Sequence, residues 1–551
     1  MGIQEVDYII VGGGLTGCAI ASRLRQNDAT LSLLVLEAGE NASDNPKTRD
    51  LAGAFELQGS SLDYDYTTTH QQTTKNRTHA VTAGRGLGGG SILNYGYWAR
   101  GDASDYDQWA ATVGDDSWSF KGLLPYMKRA ESHYEVDADP ENRGSTGPIR
   151  VTSVPDSDPK RVYGLREPIK AAWEDLGLTY NAYGDCGSLA GICEFRENWR
   201  NGERQPSHLA YRLDSKDVIT NALVHKVSFS EDGDGLPRAS GVLLADGRCF
   251  RARKEIILSA GAIKTPQILM LSGIGPDDVL KEHHIPVLYN NQEVGKNYFD
   301  HFALFQTWKL RNSEKGLSMG APQWTEPALF KGMPCDWAVN EGTPQELLRP
   351  ALQADAKNGK VFDPSLSQPT RCHTETLVIY SPMGAPVPID GSWVGTSVML
   401  LVPTSRGIVT LKSSSPNDSP EIDPNFYSTE FDRTALIYGA RRLLKAMLAT
   451  PAGKTYIEFE GAPPGMTPLT EYSSDDAIDE RIKMTGKSHA HSAGTSAMGK
   501  VVDTQLRVKG VKGLRVADAS VLPVAIGGHP QATLYGVAEK AAEMILIDSK
   551  H

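Results

Sequence analysis

The sequence has no excess of basic residues and no long hydrophobic run. Its 551 residues include 56 Lys and Arg against 67 Asp and Glu, a formal net charge of −11. Nucleic-acid binding needs clustered basic side chains that neutralise phosphates, so we exclude nucleic acid as a partner. No run of about 18 apolar residues occurs, and we therefore expect neither a transmembrane helix nor a membrane partner.

A secretion signal is also missing at the N-terminus. The first residues, "MGIQEVDYIIVGGG", pass almost directly into an apolar strand, and Glu5 and Asp7 interrupt any apolar segment of the kind that a signal peptide needs. We therefore expect a cytoplasmic protein. Residues 549–551 (SKH) differ from the peroxisomal Ser-Lys-Leu address in the last position, which leaves a peroxisomal location as the weaker alternative.

Cysteine is scarce, and the common hydrolase and metal motifs are missing. The six cysteines show no metal-ligand spacing, and neither H-E-x-x-H, C-x-x-C nor G-x-S-x-G occurs. We therefore expect no metal site and no serine-hydrolase chemistry. Cys186 and Cys193 are close enough in sequence for a local disulfide, although free buried thiols are favoured.

What the sequence does contain begins with a glycine turn. The segment "VDYIIVGGGLTGCAIASRL" predicts a buried strand over residues 8–11 and then a helix. Gly12, Gly14 and Gly17 fit G-x-G-x-x-G, which allows a tight turn, close approach of a pyrophosphate and close helix packing. A second apolar strand, "LSLLVLEAG", brings Glu37 to the position that holds the hydroxyls of an adenosine ribose. These features predict a dinucleotide, and both NAD and FAD fit them.

Two further glycine-containing segments favour FAD over NAD. Residues 84–101, "GRGLGGGSILNYGYWARG", form a second glycine-rich loop, which a flavin reaching beyond its pyrophosphate would use. Residues 261–275, "GAIKTPQILMLSGIG", follow the apolar strand "EIILSAG". They predict a helix that starts at about Pro266 and is ended by Gly273 and Gly275.

Together these segments resemble the glucose-methanol-choline (GMC) oxidoreductases, a family of FAD enzymes. "GRGLGGGSILN" resembles the first family signature and "GAIKTPQILMLSGIG" the second. "EVGKNYFDH", "GLRVADASVLP" and "VAEKAAEMI" resemble three further family segments, and all five occur in family order. The match runs from residue 7 to residue 545, which is far more specific than any single motif.

The resemblance implies which residues hold FAD. Some members attach flavin covalently through a histidine just before Asn94, but this chain has Leu93 there, which implies non-covalent FAD. The implied cofactor-binding residues are Gly12, Gly14, Leu15, Thr16, Gly17, Glu37, Ala38, Arg85, Gly88, Gly89, Ser91, Asn94, Tyr95, Val224, Asp518, Ala519, His529, Pro530 and Gln531.

The resemblance also identifies two catalytic histidines. The family motif H-x-x-G-T matches "HSAGT", which begins at His491, and a second family position matches His529. Neutral imidazole suits removal of the hydroxyl proton of an alcohol near neutral pH, and a second imidazole can orient the oxygen. We predict His491 as the base and His529 as its partner. We expect His489 and His301 to be structural residues.

The family fold is α/β, with a Rossmann-like FAD-binding domain interleaved with an α+β substrate domain built on an antiparallel sheet. We predict that residues 1–150, 216–300 and 510–551 form the FAD-binding domain. Residues 151–215 and 301–509 then form the substrate domain. The two strand-like runs in 394–413, "VGTSVMLLVPTSRGIVTLKS", agree with such a sheet.

The predicted activity is FAD-dependent oxidation of a primary alcohol to the aldehyde, with O2 or another electron acceptor. An aromatic residue at Tyr95, as in aryl-alcohol oxidases of this family, favours an aryl or allylic alcohol. Three alternatives on the same scaffold remain open. They are a redox-neutral lyase or cyclase that keeps FAD, a flavin photodecarboxylase, and a flavin-binding protein without catalysis, against which the two histidines argue.

Overall fold

The computed structural model describes residues 4–135, 139–231, 235–359, 363–384 and 386–549. The last two residues of the SKH tripeptide lie outside the described residues. No helix among the described residues is long and apolar enough to cross a membrane. All six cysteines fall in the described part of the chain and are free thiols, as favoured from the sequence.

The first of two large sheets is a seven-stranded, mainly parallel sheet. The central strand Gln4–Val11 pairs in parallel with Leu33–Leu36 on one side and with Cys249–Leu258 on the other. Buried apolar side chains occupy residues 8–11, 33–36 and 256–258 of these strands, which is typical of a sheet covered on both faces. In spatial order the strands are Val218–Ile219, Leu33–Leu36, Gln4–Val11, Cys249–Leu258, Pro237–Leu244 and Val224–Glu231, with Leu514–Val516 also paired to Cys249–Leu258.

The predicted glycine turn joins the first strand to the helix Leu15–Asn27. Gly12 adopts a φ of 100°, and a Cβ there would lie 2.4 Å from the carbonyl oxygen of Ser259. A Cβ at Gly17 would lie 2.0 Å from the carbonyl oxygen of Gly12. Both positions therefore require glycine so that the turn can pack against its neighbours.

The second large sheet is antiparallel throughout, as the family resemblance implies. Its described strands in spatial order are Ile457–Gly461, Phe302–Leu310, Trp393–Leu400, Thr374–Ile379, Trp337–Glu341 and Gly191–Glu194, with Lys487–Ser488 also paired to Phe302–Leu310. Both strand-like runs predicted in 394–413 are strands, but only the first belongs to this sheet. The second run, Ile408–Thr410, pairs instead with Glu421–Asp423 in a small separate sheet.

Helices cover both sheets and confirm the α/β class. The described helices of nine or more residues are Leu15–Asn27, Ala103–Val113, Phe120–Ala130, Arg166–Glu174, Gly261–Leu271, Gln345–Lys357, Glu430–Leu448, Asp475–Thr485 and Gln531–Asp548. The strands of the first sheet come from residues 4–258 and 514–516, and those of the second from 191–194 and 302–488. The two units are therefore interleaved along the chain, while their boundaries stay a prediction.

The helix Gly261–Leu271 begins five residues earlier than predicted, so Pro266 lies inside it rather than at its start. A proline inside a helix cannot donate to the carbonyl four residues before it, here that of Ala262. That carbonyl accepts a hydrogen bond of 2.5 Å from the buried hydroxyl of Thr495. A side chain from a distant segment thus replaces the missing amide, and this long-range partner explains why a local signal misplaced the helix start.

Replacing Thr495 with valine should lower the free energy of unfolding by about 1–3 kcal/mol, because the Ala262 carbonyl would lose this buried partner. Urea denaturation of the two proteins measures the difference. Thr495→Ser keeps the hydroxyl and is the matched control. Equal or greater stability of the valine variant relative to the serine variant would show that the hydroxyl contributes nothing.

Candidate active site

A single large cavity of about 860 Å³ brings the glycine turns and the histidine segment together. Its size is within the range of small-molecule and cofactor sites. Most of the site residues expected from the sequence line its wall. They are Gly12, Gly14, Leu15, Thr16, Glu37, Ala38, Gly89, Asn94, Tyr95, Val224, His491, Asp518, Ala519, His529, Pro530 and Gln531.

Four expected cofactor-binding residues are not among those that line the cavity: Gly17, Arg85, Gly88 and Ser91. Gly17 packs against the turn, as described above. The hydroxyl of Ser91 donates to the carbonyl of Gly88 over 2.6 Å, and Gly88 itself has a φ of 106°. The guanidinium of Arg85 lies over the ring of Tyr64, 5.9 Å from its centroid. These residues shape the loops, and direct contact between them and a ligand stays a prediction.

Glu37 lines the cavity beside the glycine turn. Its two carboxylate oxygens accept hydrogen bonds of 2.8 Å from the amides of Gly13 and Gly39. Burial raises the pKa of this carboxyl to about 7, although the two amide donors act in the opposite direction. Each oxygen keeps one lone pair, so the carboxylate has capacity for a ligand hydroxyl.

Backbone amides at the N-termini of two helices also line the cavity. The helices Leu15–Asn27 and Gln531–Asp548 both begin at the cavity, where their free amides favour an anion. Asp518 is buried and accepts from the amide of Gly261 over 2.9 Å and from the hydroxyl of Thr265 over 2.6 Å. It therefore ties the C-terminal segment to the helix that contains Pro266.

His491 lines the same cavity as Glu37. Its backbone amide donates over 2.8 Å to Asp300, which also accepts from the hydroxyl of Ser488. Its Nδ1 lies 2.9 Å from Nδ1 of His301. Burial, and then the neighbouring His529, hold the pKa of His491 well below its usual range, so the ring is neutral near pH 7. Backbone and ring are thus both fixed.

His529 faces His491, with ring centroids 4.8 Å apart. Its Nε2 lies 2.9 Å from the Oε1 of Glu375, a residue that is 2% exposed. The ring also meets Tyr97 edge-on, with centroids 4.5 Å apart. The structure therefore brings together the two predicted histidines and adds a carboxylate that the sequence analysis missed.

Glu375 had a usable signal in the sequence. It lies in the strand Thr374–Ile379, where Glu375, Leu377 and Ile379 alternate and so share one face. Leu377 and Ile379 line the cavity, and Glu375 reaches His529. A single carboxylate on the buried face of an apolar strand indicates a polar partner, but the sequence alone does not name that partner.

His489 also lines the cavity, so the expectation that it is only a structural residue stays a prediction. Its ring centroid lies 5.0 Å from that of His491 and 5.3 Å from that of His529, and its Nε2 lies 3.3 Å from the hydroxyl of Ser397. Ala490, between the two histidines, adopts a φ of 60°. This left-handed residue turns the chain so that both rings face the same space, which sequence spacing did not reveal.

His301 pairs with His491, in agreement with the expectation of a structural hydrogen-bonding residue. It is 3% exposed, and burial lowers its pKa to about 3. Its carbonyl also accepts from the amide of His489 over 2.8 Å. One buried residue therefore fixes both members of the histidine segment.

Comparison with known proteins identifies the family. Two protein-family models, both described as GMC oxidoreductase, match this chain. The N-terminal family model matches residues 6–303, and the C-terminal family model matches residues 403–538. The chain belongs to the GMC oxidoreductase family. It is 40% identical to the GMC-type oxidoreductase acuG of Aspergillus aculeatus, covering 98% of this chain and 99% of that protein. It is 31% identical to the oxygen-dependent choline dehydrogenase of Pseudomonas putida, covering 98% and 94%.

Solved structures agree with this GMC assignment. A variant of the formate oxidase of Aspergillus oryzae superposes with a TM-score of 0.87 at 27% identity and covers all of both chains. Pyridoxine 4-oxidase from Mesorbium loti superposes with a TM-score of 0.81 at 26% identity, covering 98% of each chain. A fungal aryl-alcohol oxidase at 24% identity shares the fold, with a TM-score of 0.80 and 99% of each chain covered.

This GMC oxidoreductase is an FAD-dependent enzyme, and its cavity fits the cofactor. A Cβ at Gly14 would find no protein atom closer than 3.8 Å, so the space beside this glycine is left for a ligand. Glu37 can accept from a ribose, and the two helix N-termini can bind the pyrophosphate. Leu93 lines the cavity and offers no atom for a bond to flavin, in agreement with non-covalent FAD.

Proposed function

We propose that this enzyme oxidises a primary alcohol of aryl or allylic type to the aldehyde, with O2 or another small-molecule acceptor completing the cycle. The observation that supports the proposal is the pair His491 and His529, 4.8 Å apart between ring centroids, in the cavity wall beside apolar and aromatic side chains. FAD, when bound, supplies the acceptor for the hydride that leaves the alcohol carbon.

His491 serves as the base for the hydroxyl proton. We assign the proton of its neutral ring to Nδ1, which donates to Nδ1 of His301. Its Nε2 then keeps a free lone pair for the alcohol hydrogen, and general base catalysis of this kind contributes about 10²- to 10⁴-fold. His301 touches no substrate in this scheme and acts as a positioning residue.

His529 holds the alcohol oxygen. A carboxylate only accepts hydrogen bonds, so the contact with Glu375 places a proton on Nε2 of His529. That leaves Nδ1 to face the substrate. In the imidazolium form of His529, Nδ1–H donates to the alcohol oxygen, and the negative charge of Glu375, one hydrogen bond away, stabilises that form. Glu375 is the second positioning residue of the scheme.

The walls near the histidines favour an apolar substrate. Phe305 stacks on His489 with centroids 5.6 Å apart, and Tyr97 stacks on Phe195 with centroids 4.3 Å apart. Other apolar wall residues in this part of the cavity are Met333, Leu377, Ile379, Pro382 and Met383. An aromatic or allylic group can bury its π surface there, whereas a sugar would leave hydroxyls without partners.

Anaerobic mixing of the purified holoenzyme with benzylic, allylic, sugar and choline-like alcohols tests the proposal. We expect a benzylic or allylic alcohol to bleach the oxidised flavin absorbance, and admission of air then separates oxidase from dehydrogenase by the speed of recovery. Bleaching by sugars or choline alone would refute the substrate class. An FAD-loaded protein that no alcohol bleaches would refute the oxidation and favour the redox-neutral alternatives.

Glu375→Gln should slow flavin reduction by about 10- to 100-fold, because the hydrogen bond from His529 to a charged acceptor is worth about 1.5–3 kcal/mol. Rapid-mixing kinetics with the alcohol found above measure the rate. FAD content and the unfolding midpoint should stay near wild type, since Glu375 contacts His529 and not the glycine turns. An unchanged rate would remove Glu375 from the scheme.

A further inference from the structure

The part of the cavity wall that holds His489, His491 and His529 contains more imidazole rings than alcohol oxidation needs. His489, His491 and His529 each offer one ring nitrogen, and the three atoms lie within 4.8 Å of one another. The proposed reaction uses two of these rings. The third, His489, has no role in that scheme, yet its side chain faces the same space.

The geometry points to a further site: we propose that His489, His491 and His529 bind one divalent transition-metal cation, with Zn²⁺ as the reference ion. Imidazole nitrogen is a preferred ligand for Zn²⁺, and three protein ligands with one open position are common at solvent-accessible zinc sites. Zn–N bonds of about 2.0–2.1 Å place tetrahedral ligand atoms about 3.4 Å apart, inside the 4.8 Å limit that the three ligand atoms already meet.

Each proposed ligand also has the outer partner that metal-binding histidines need. Metal-bound histidines almost always bond through their second ring nitrogen, which fixes the ring. His529 bonds Glu375 through Nε2, and His491 meets His301 through Nδ1. The third ring, that of His489, has the Ser397 hydroxyl 3.3 Å from Nε2. In each ring, these outer contacts use one of the two nitrogens.

Occupancy by the ion excludes the proton transfer proposed above. A bound Zn²⁺ takes the lone pair of His491 that would receive the alcohol proton, and it fills the space between the rings. The binding itself does not depend on the proposed alcohol oxidation, so the two ideas can fail separately. No electron moves in this step, because Zn²⁺ is not redox-active.

Calorimetric titration of the FAD-loaded enzyme with ZnCl₂ tests the proposal. We expect one saturable site, at least about 100-fold weaker in His489→Gln and about 10- to 100-fold weaker in Glu375→Gln. His284→Asn is the matched control, because His284 is an exposed turn histidine with a φ of 56° that does not line the cavity, and the zinc affinity of this variant should equal wild type. Absence of saturable binding, or unchanged affinity in His489→Gln, would overturn the proposal.

A second measurement on the unaltered enzyme covers the case in which His489→Gln fails to fold. X-ray absorption at the zinc edge should show a nitrogen and oxygen shell at about 2.0–2.1 Å with the outer scattering of about three imidazoles. A shell without imidazole scattering would assign the ion to another site and overturn the proposal. If zinc binds as expected and no alcohol bleaches the flavin, only the proposed oxidation fails.

Discussion

His491→Ala should hold FAD normally and reduce it about 10²- to 10⁴-fold more slowly with the preferred alcohol, the range that a positioned general base contributes. The alanine keeps the backbone amide that donates to Asp300, so the segment should keep its path. Removing the ring takes away the only lone pair that we place against the alcohol hydrogen. Anaerobic rapid mixing measures the reduction step directly, apart from reoxidation.

The matched comparison is His301→Ala. This change leaves His491 in place but removes the partner of its Nδ1, so the orientation of the ring is lost while the base remains. We expect a smaller loss of rate than in His491→Ala, and restoration of part of it by His301→Asn, whose amide can accept the same hydrogen bond. Wild-type reduction by His491→Ala would show that another group removes the proton.

Gly14→Ala should fold as wild type and bind FAD about 10- to 100-fold more weakly. The added methyl group meets no protein atom within 3.8 Å, and the residue has a φ of −79°, which alanine adopts without strain. The methyl group instead enters the space that we assign to the pyrophosphate. Overfilling a packed contact costs about 1–3 kcal/mol, which accounts for this range of affinity.

Gly12→Ala separates loss of affinity from loss of fold. At this position a Cβ would strike the Ser259 carbonyl at 2.4 Å, and the φ of 100° is unfavourable for alanine. We therefore expect Gly12→Ala to lower the free energy of unfolding of the apoprotein, and Gly14→Ala to leave it unchanged. Flavin fluorescence titration and urea denaturation of both apoproteins make the comparison. Wild-type affinity for FAD in Gly14→Ala would place the pyrophosphate elsewhere.

Much of the fold was predictable because its signals are local. The strand Gln4–Val11, the turn at Gly12 and the helix after it follow from a short apolar run and three spaced glycines. The start of the helix Gly261–Leu271 was not predictable. The hydroxyl that replaces the amide missing at Pro266 comes from Thr495, more than 200 residues away. Local rules fail where a distant side chain supplies the missing bond.

The residues of the candidate site divide in the same way, into those that a local motif predicts and those that the tertiary fold positions. The positions of His491 and His529 in the cavity wall were predictable because each lies in a short motif, whereas the positions of Glu375 and His489 were not. Glu375 reaches the site through the alternation of a strand whose partner is unknown from sequence. His489 reaches it through the left-handed backbone at Ala490, a conformation that alanine rarely adopts and that no motif indicates.

The order of the strands in the first sheet has a consequence for biosynthesis. Leu514–Val516 pairs with Cys249–Leu258, and the helix that begins at Gln531 lines the same cavity as Gly12. A ribosome adding about 5–20 residues per second needs roughly half a minute to two minutes to travel from Gly12 to Gln531. The glycine turn is therefore synthesised long before the C-terminal part of the cavity wall. The complete flavin pocket forms only when almost the entire chain has been made.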